Sequence, residues 1–98
     1  MKYILDIQLS AEEGALEGFS YYEEKQEGLG TRFLDQLDGQ LKQLQKDPTI
    51  YQKKHKNIRT VLIKPFPYHI VYEIDNIKIV VYKVIYAGRQ SKKRYSKE

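Results

Sequence analysis

The stretch "FPYHIVYEIDNIKIVVYKVIY", residues 66–86, constrains the fold more than any other part of the chain. Its density of Ile, Val and Tyr favours extended backbone, because branched and aromatic side chains pack well on a pleated surface. Asp75-Asn76 is a tight-turn pair, so the stretch predicts a hairpin of strands at 68–75 and 77–86. Another strand is predicted just upstream, at about 58–64. Pro65 and Pro67 bracket Phe66 and keep that connection out of the ladder.

A fourth strand opens the chain. In "YILDIQLS", Tyr3, Leu5, Ile7 and Leu9 alternate with Asp6 and Gln8, the pattern of a half-buried strand. Ser10 and Glu13 then read as a capping box that starts a helix. Ala15, Leu16, Phe19 and Tyr22 give that helix an apolar stripe, and Glu12, Glu17, Glu23 and Glu24 a wet side. Gly28 is placed to end it in a left-handed cap. A second helix follows "GLG", with Phe33, Leu34, Leu37, Leu41 and Leu44 on one side, until Asp47-Pro48 closes it. So short a link predicts an antiparallel helical hairpin. "TIYQKKHKN" reads as an exposed basic loop. The expectation is an α+β fold: an N-terminal strand, then a helical hairpin on one face of a mainly antiparallel four-stranded sheet.

At 98 residues, with 41% apolar and 31% charged side chains, residues 1–98 are expected to form one soluble domain. No run of 18 apolar residues and no leader pattern is present, and cysteine is absent. These features fit a reducing cytoplasm and exclude thiol chemistry. Charge is unevenly spread. Residues 1–47 carry five Lys/Arg against ten Asp/Glu, a balance of −5; residues 48–98 carry twelve against three, a balance of +9. The basic half therefore draws attention as the side that meets a polyanion.

Several chemistries find no support. His55 and His69, the only histidines, stand fourteen residues apart without a constellation of acids, which argues against a metal site. "GLG" lacks the strand before it and the Lys-Ser/Thr after it that a phosphate loop requires. No cofactor is implied. In the basic half, alternation along 68–74 sets Ile70, Tyr72 and Ile74 on one face and His69, Val71 and Glu73 on the other. Arg59 and Lys64 lie near the two ends of the preceding strand, and Arg89 follows the last one. A face bordered by these groups and by Lys92, Lys93, Arg94 and Tyr95 can grip phosphates while a ring stacks on a base. Blander readings stay open for each. Arg89 can pair with Glu73, His69 can be a sheet residue without chemistry, Tyr95 can pack the tail, and the tail cations can be simply solvated.

Three segments together resemble the RelE/ParE superfamily of toxins from type II toxin–antitoxin modules. They are "ALEGFSYYEEKQEGLGTRFLDQLDGQLKQLQKDP", "FPYHIVYEID" and "KIVVYKVIYAGRQ". The resemblance implies a toxin neutralised by a cognate antitoxin. RelE-like members cut mRNA in the ribosomal A site without a metal; ParE-like members inhibit DNA gyrase without nuclease chemistry. The helical hairpin and the "GLG.RF" step look more like the ParE-type, plasmid-stabilisation branch. Carried over by position, Arg89 and Tyr95 match the nuclease's later Arg and its Tyr. His69 stands for the middle-strand Arg, Thr60 and Leu62 fall where two Lys are usual, and Tyr86 replaces a His. In a cleavage mechanism Arg89 would steady the phosphorane-like charge. His69 would move a proton, since an unperturbed imidazole titrates at about 6.5, and Tyr95 would stack or act as base. The leading expectation is ribosome-dependent mRNA cleavage, with the antitoxin and ribosomal mRNA as partners. The rivals are gyrase inhibition and a non-toxic, antitoxin-binding remnant.

Overall fold

The structure, a computed structural model, describes residues 2–88. Its elements run β1 (Ile4–Ile7), α1 (Leu9–Lys25), α2 (Leu29–Lys46), a 3-10 turn (Pro48–Ile50), β2 (Lys53–His55), β3 (Ile58–Leu62), β4 (Tyr68–Asp75) and β5 (Lys78–Tyr86). The strands form one sheet in the order β1-β5-β4-β3-β2, in which only the β1–β5 pair is parallel. The expected α+β layout is present, with five strands rather than four. The added strand is β2, inside the segment read as a basic loop. It turns back through Lys56, at φ 53°, and pairs with Ile58 and Arg59. All three of its residues are exposed, so no apolar alternation marks it in the sequence.

Ile74, Tyr72 and Ile70 of β4, with Ile79, Val81 and Val84 of β5, meet the helices. From α2 come Phe33, Leu37 and Leu44, spaced 4 and 7 residues apart and buried, with Leu34 and Leu41 at the margin. That stripe is as expected. α1 differs: its buried residues are Ala11 and Gly18, with Ala15 and Tyr22 packed beside them, while Leu16 points to solvent. The packed side therefore runs 11, 15, 18, 22, and small side chains let the helix come close. A Cβ at Gly14 would collide with the Val84 carbonyl oxygen, and one at Gly18 would stand 2.6 Å from the Phe33 ring.

The expected capping box does not form. The helix starts at Leu9 with Gln8 as its N-cap, two residues early, because Gln8 bonds its N–H to Val81 O while its own carbonyl already accepts from Ala11 and Glu12. The Ser10 hydroxyl instead donates to Tyr82 O at 2.6 Å. Leu9, now helical, is exposed, as is Ile7 at the end of β1. Gly28 takes the left-handed conformation, φ 87°, but as the residue that opens α2; α1 ends at Lys25 with Gln26 as its cap. Glu23 leaves the wet side to accept the N–H groups of Gly28 and Gly30, both at 2.9 Å. A carboxylate there satisfies orphan donors at the positive end of the helix dipole.

Candidate functional site

The register of the sheet settles which side chains share a face. Neighbouring strands place His69 between Leu62 and Ile85, Val71 between Thr60 and Lys83, and Glu73 between Ile58 and Val80, all on the side away from the helices. His69 does face that side, as its parity with Val71 and Glu73 requires. The side is not uniformly wet, however, for Val71 is fully buried and Ile58, Thr60 and Val80 nearly so. Tyr82 is an extra residue in β5, because Val71 is paired with Lys83 but Tyr72 with Val81. This bulge turns Lys83 and Ile85 onto the face that strict alternation would deny them. The Tyr82 hydroxyl donates to Glu73 Oε1 at 2.9 Å, and burial, with that bond second, pushes its pKa up to about 12.

Arg59 lies on the other side. It pairs with Tyr72, and its Nη1 donates to Tyr51 O at 2.6 Å and to Thr49 O at 3.2 Å. The expectation that it borders the same face as His69 is therefore corrected: the guanidinium pins the chain that leaves α2. Its parity with Val61 and Ile63, both buried, is the sequence signal that assigns it there. Tyr72, buried beside it, donates to Pro48 O at 2.7 Å, and burial holds its hydroxyl well above the ordinary tyrosine range.

A cleft of about 610 Å³, of mixed polar and apolar lining, opens where β2 stops short of the end of β3. His69 and Lys64 line it, together with Lys54, Gln36, Gln40 and the Tyr51 ring. The Tyr51 hydroxyl accepts from Gln40 Nε2 at 2.9 Å, so the wall that Arg59 anchors is also tied to α2. The structure thus brings together His69 and Lys64, adds Lys54, and separates Arg59 from them. Arg89, Lys92, Lys93, Arg94 and Tyr95 lie outside the described residues. At the positions matching the nuclease lysines, Thr60 is buried and Leu62 is 37% exposed. Tyr86, at the usual His position, stacks edge-on against Tyr68 with ring centres 5.8 Å apart. Among the described residues no three His, Asp or Glu converge as a metal site requires, and no helix is long and apolar enough to cross a membrane.

Comparison with known proteins follows the same lines. No curated protein matches the sequence. Among solved structures, the chromosomal ParDE toxin–antitoxin system of P. aeruginosa superposes with a TM-score of 0.76 at 12% identity, over 87% of this chain and 96% of that one. The isolated E. coli RelE toxin gives 0.67 at 19% identity, over 91% and 88%. A double arginine-to-alanine variant of E. coli RelE in the free state gives 0.61 at 18%, over 90% and 86%. At such identities the likeness is one of fold. The sequence itself matches the family model described as "ParE toxin of type II toxin-antitoxin system, parDE" over residues 7–91. The chain belongs to the ParE toxin family, within the RelE/ParE superfamily of type II toxin–antitoxin toxins.

Proposed function

We propose that this toxin arrests growth by binding rather than cutting, as a ParE-like inhibitor of DNA gyrase in the cytoplasm, and that a cognate antitoxin neutralises it. The observation that carries the reading is the setting of His69, flanked on both neighbouring strands by aliphatic side chains, Leu62 and Ile85. In-line cleavage of RNA needs cations close to the developing phosphorane charge and a proton carrier held beside them. Here Arg59 is spent on two carbonyls on the far side of the sheet. The positions of the two usual lysines hold Thr60 and Leu62. A half-exposed Leu62 and a half-buried Ile85 beside an imidazole suit an apolar protein contact better than a phosphate.

One observation favours the second reading, mRNA cleavage on the ribosome. His69 and Lys83 share a face, Lys64 and Lys54 line the same cleft as His69, and in the sequence Arg89 follows the end of β5 by three residues. Inducible expression with and without the neighbouring antitoxin gene separates the two. Gyrase inhibition predicts SOS induction with cleaved DNA, toxicity that survives His69→Ala, and toxicity weakened by Leu62→Glu. RNA breaks ending in 2′,3′-cyclic phosphate and lost on His69→Ala would overturn it and install the nuclease.

A further inference from the structure

β1 is an edge strand whose inner side is fully used. Ile4 N–H bonds to Ile77 O and Gln8 N–H to Val81 O, each at 2.9 Å, so Ile4, Asp6 and Gln8 turn their backbone groups toward β5. In a parallel ladder the alternate residues, Tyr3, Leu5 and Ile7, turn theirs outward. Leu5 and Ile7 have no backbone partner there among the described residues. The Tyr3 carbonyl takes one bond from Gln45 Nε2 at 3.0 Å and has a second lone pair left. Native edges are usually blunted by proline, a bulge or a cover. This one has no proline or bulge; it is four residues long, carries Asp6 and has Gln45 of α2 at the Tyr3 carbonyl, but it leaves Ile4 and Ile7 exposed, with Ile77 exposed beside them.

We propose that two copies of this chain join edge to edge, β1 against β1, antiparallel about a two-fold axis through Ile4. The sequence of the strand selects a second copy and this register. Three two-fold axes, at Ile4, Leu5 or Asp6, keep the outward residues as the hydrogen-bonding pairs. An axis at Asp6 sets that carboxylate against its own copy. An axis at Leu5 sets Asp6 against the partner's Ile4. An axis at Ile4 sets Ile4 against the partner's Ile4, Tyr3 against the partner's Leu5, and Lys2 against the partner's Asp6, and the symmetry closes the ion pair twice. Opposite charges and apolar side chains directly across an antiparallel pair stabilise it, whereas like charges oppose it. A surface that complements itself in this way is what an isologous interface requires. The face concerned is the one away from the helices, where Ile4 sits beside Lys78 and Asp6 beside Val80. The proposal stands whichever target the toxin has.

The test is sedimentation of the purified full chain across a concentration series, with amide hydrogen exchange. Wild type is expected to dimerise, with the Leu5 and Ile7 amides gaining protection as the dimer fills. Lys2→Glu and Asp6→Lys, each alone, should raise the dissociation constant about tenfold, and the double variant should restore it, which a merely destabilised strand would not do. Ile4→Lys should give a monomer with unchanged circular dichroism. A wild type that stays monomeric, a double variant no tighter than the single ones, or protection at Leu5 and Ile7 that arises only when the antitoxin is bound would overturn the proposal.

Discussion

On the side of the sheet that meets the helices, polar groups are bound to fixed partners nearby. Tyr72 is bonded to Pro48 O, Arg59 to two carbonyls around the 3-10 turn, and the rings of Tyr22, Phe33, Phe66 and Tyr68 pack together with centres 4.7 to 5.9 Å apart, edge to face except for the tilted Tyr22–Phe33 pair. On the opposite side, His69 stands between Leu62 and Ile85, Lys83 lies beside Val71 and lines a cleft with Glu13 and Glu17 of α1, and the Tyr82 hydroxyl is bonded to Glu73. The same strands thus present one face committed to stability and another with ionisable groups near a cleft. Residues of one chemical type consequently have different jobs according to the face they occupy.

The sharpest way to break this contrast is to truncate one large side chain on each face. Phe33 is fully buried, with its ring against Gly18 and three other aromatic rings. Phe33→Ala is expected to cost about 3–5 kcal/mol, a transfer loss plus a cavity that rigid helices cannot close. Leu62→Ala, on the other face and 37% exposed, should cost about 1 kcal/mol or less. Urea midpoints at constant slope measure both. Similar losses would mean that the two faces are equally part of the core.

A smaller effect separates the two basic residues. Arg59→Ala removes charge-assisted bonds to Tyr51 O and Thr49 O and is expected to cost about 2 kcal/mol, more than His69→Ala at its half-buried position. If Arg59 were instead a ligand-gripping residue, its loss would leave stability intact and weaken toxicity; a thermal melt beside a growth assay distinguishes these outcomes.

Much of this arrangement can be read from the chain, and the exceptions share a cause. The β4–β5 hairpin and α2 declare themselves because large apolar side chains recur at the periods of strand and helix. α1 hides its packed side because contact is made by Ala11, Ala15 and Gly18, and a close approach through small residues leaves no hydrophobic stripe. Leu16 misleads for the same reason, being large but turned outward. β2 is invisible because an edge strand exposed on both faces needs no pattern. The candidate site suffers from the Tyr82 bulge: one extra residue reverses the facing of Lys83 and Ile85, and nothing local in "KIVVYKVIY" marks where the count slips. Arg59 was legible through its parity with Val61 and Ile63, but charge pulls attention the other way.

The finest probe of the contrast is alkaline pH, because it titrates a tyrosine on the less committed face. Burial, and then the hydrogen bond to Glu73, raise the Tyr82 pKa from 10.0 to about 12. The folded protein therefore keeps a proton that the unfolded chain releases above pH 10, and proton linkage makes stability fall in that range. The sign is that of a raised folded pKa: the contribution is complete below pH 10 and is lost as pH rises through about 12. Tyr22, Tyr68 and Tyr72 are shifted in the same direction by burial, so a decline remains in any single variant. Tyr82→Phe should lower stability at neutral pH by about 1 kcal/mol through the lost bond and make the decline above pH 10 shallower. Denaturant titrations at several pH values would show this as two stability curves converging as pH rises. Curves that stay parallel would mean that the Tyr82 hydroxyl is as free to ionise in the folded sheet as in the open chain, and that the bulge holds its residue by backbone geometry alone.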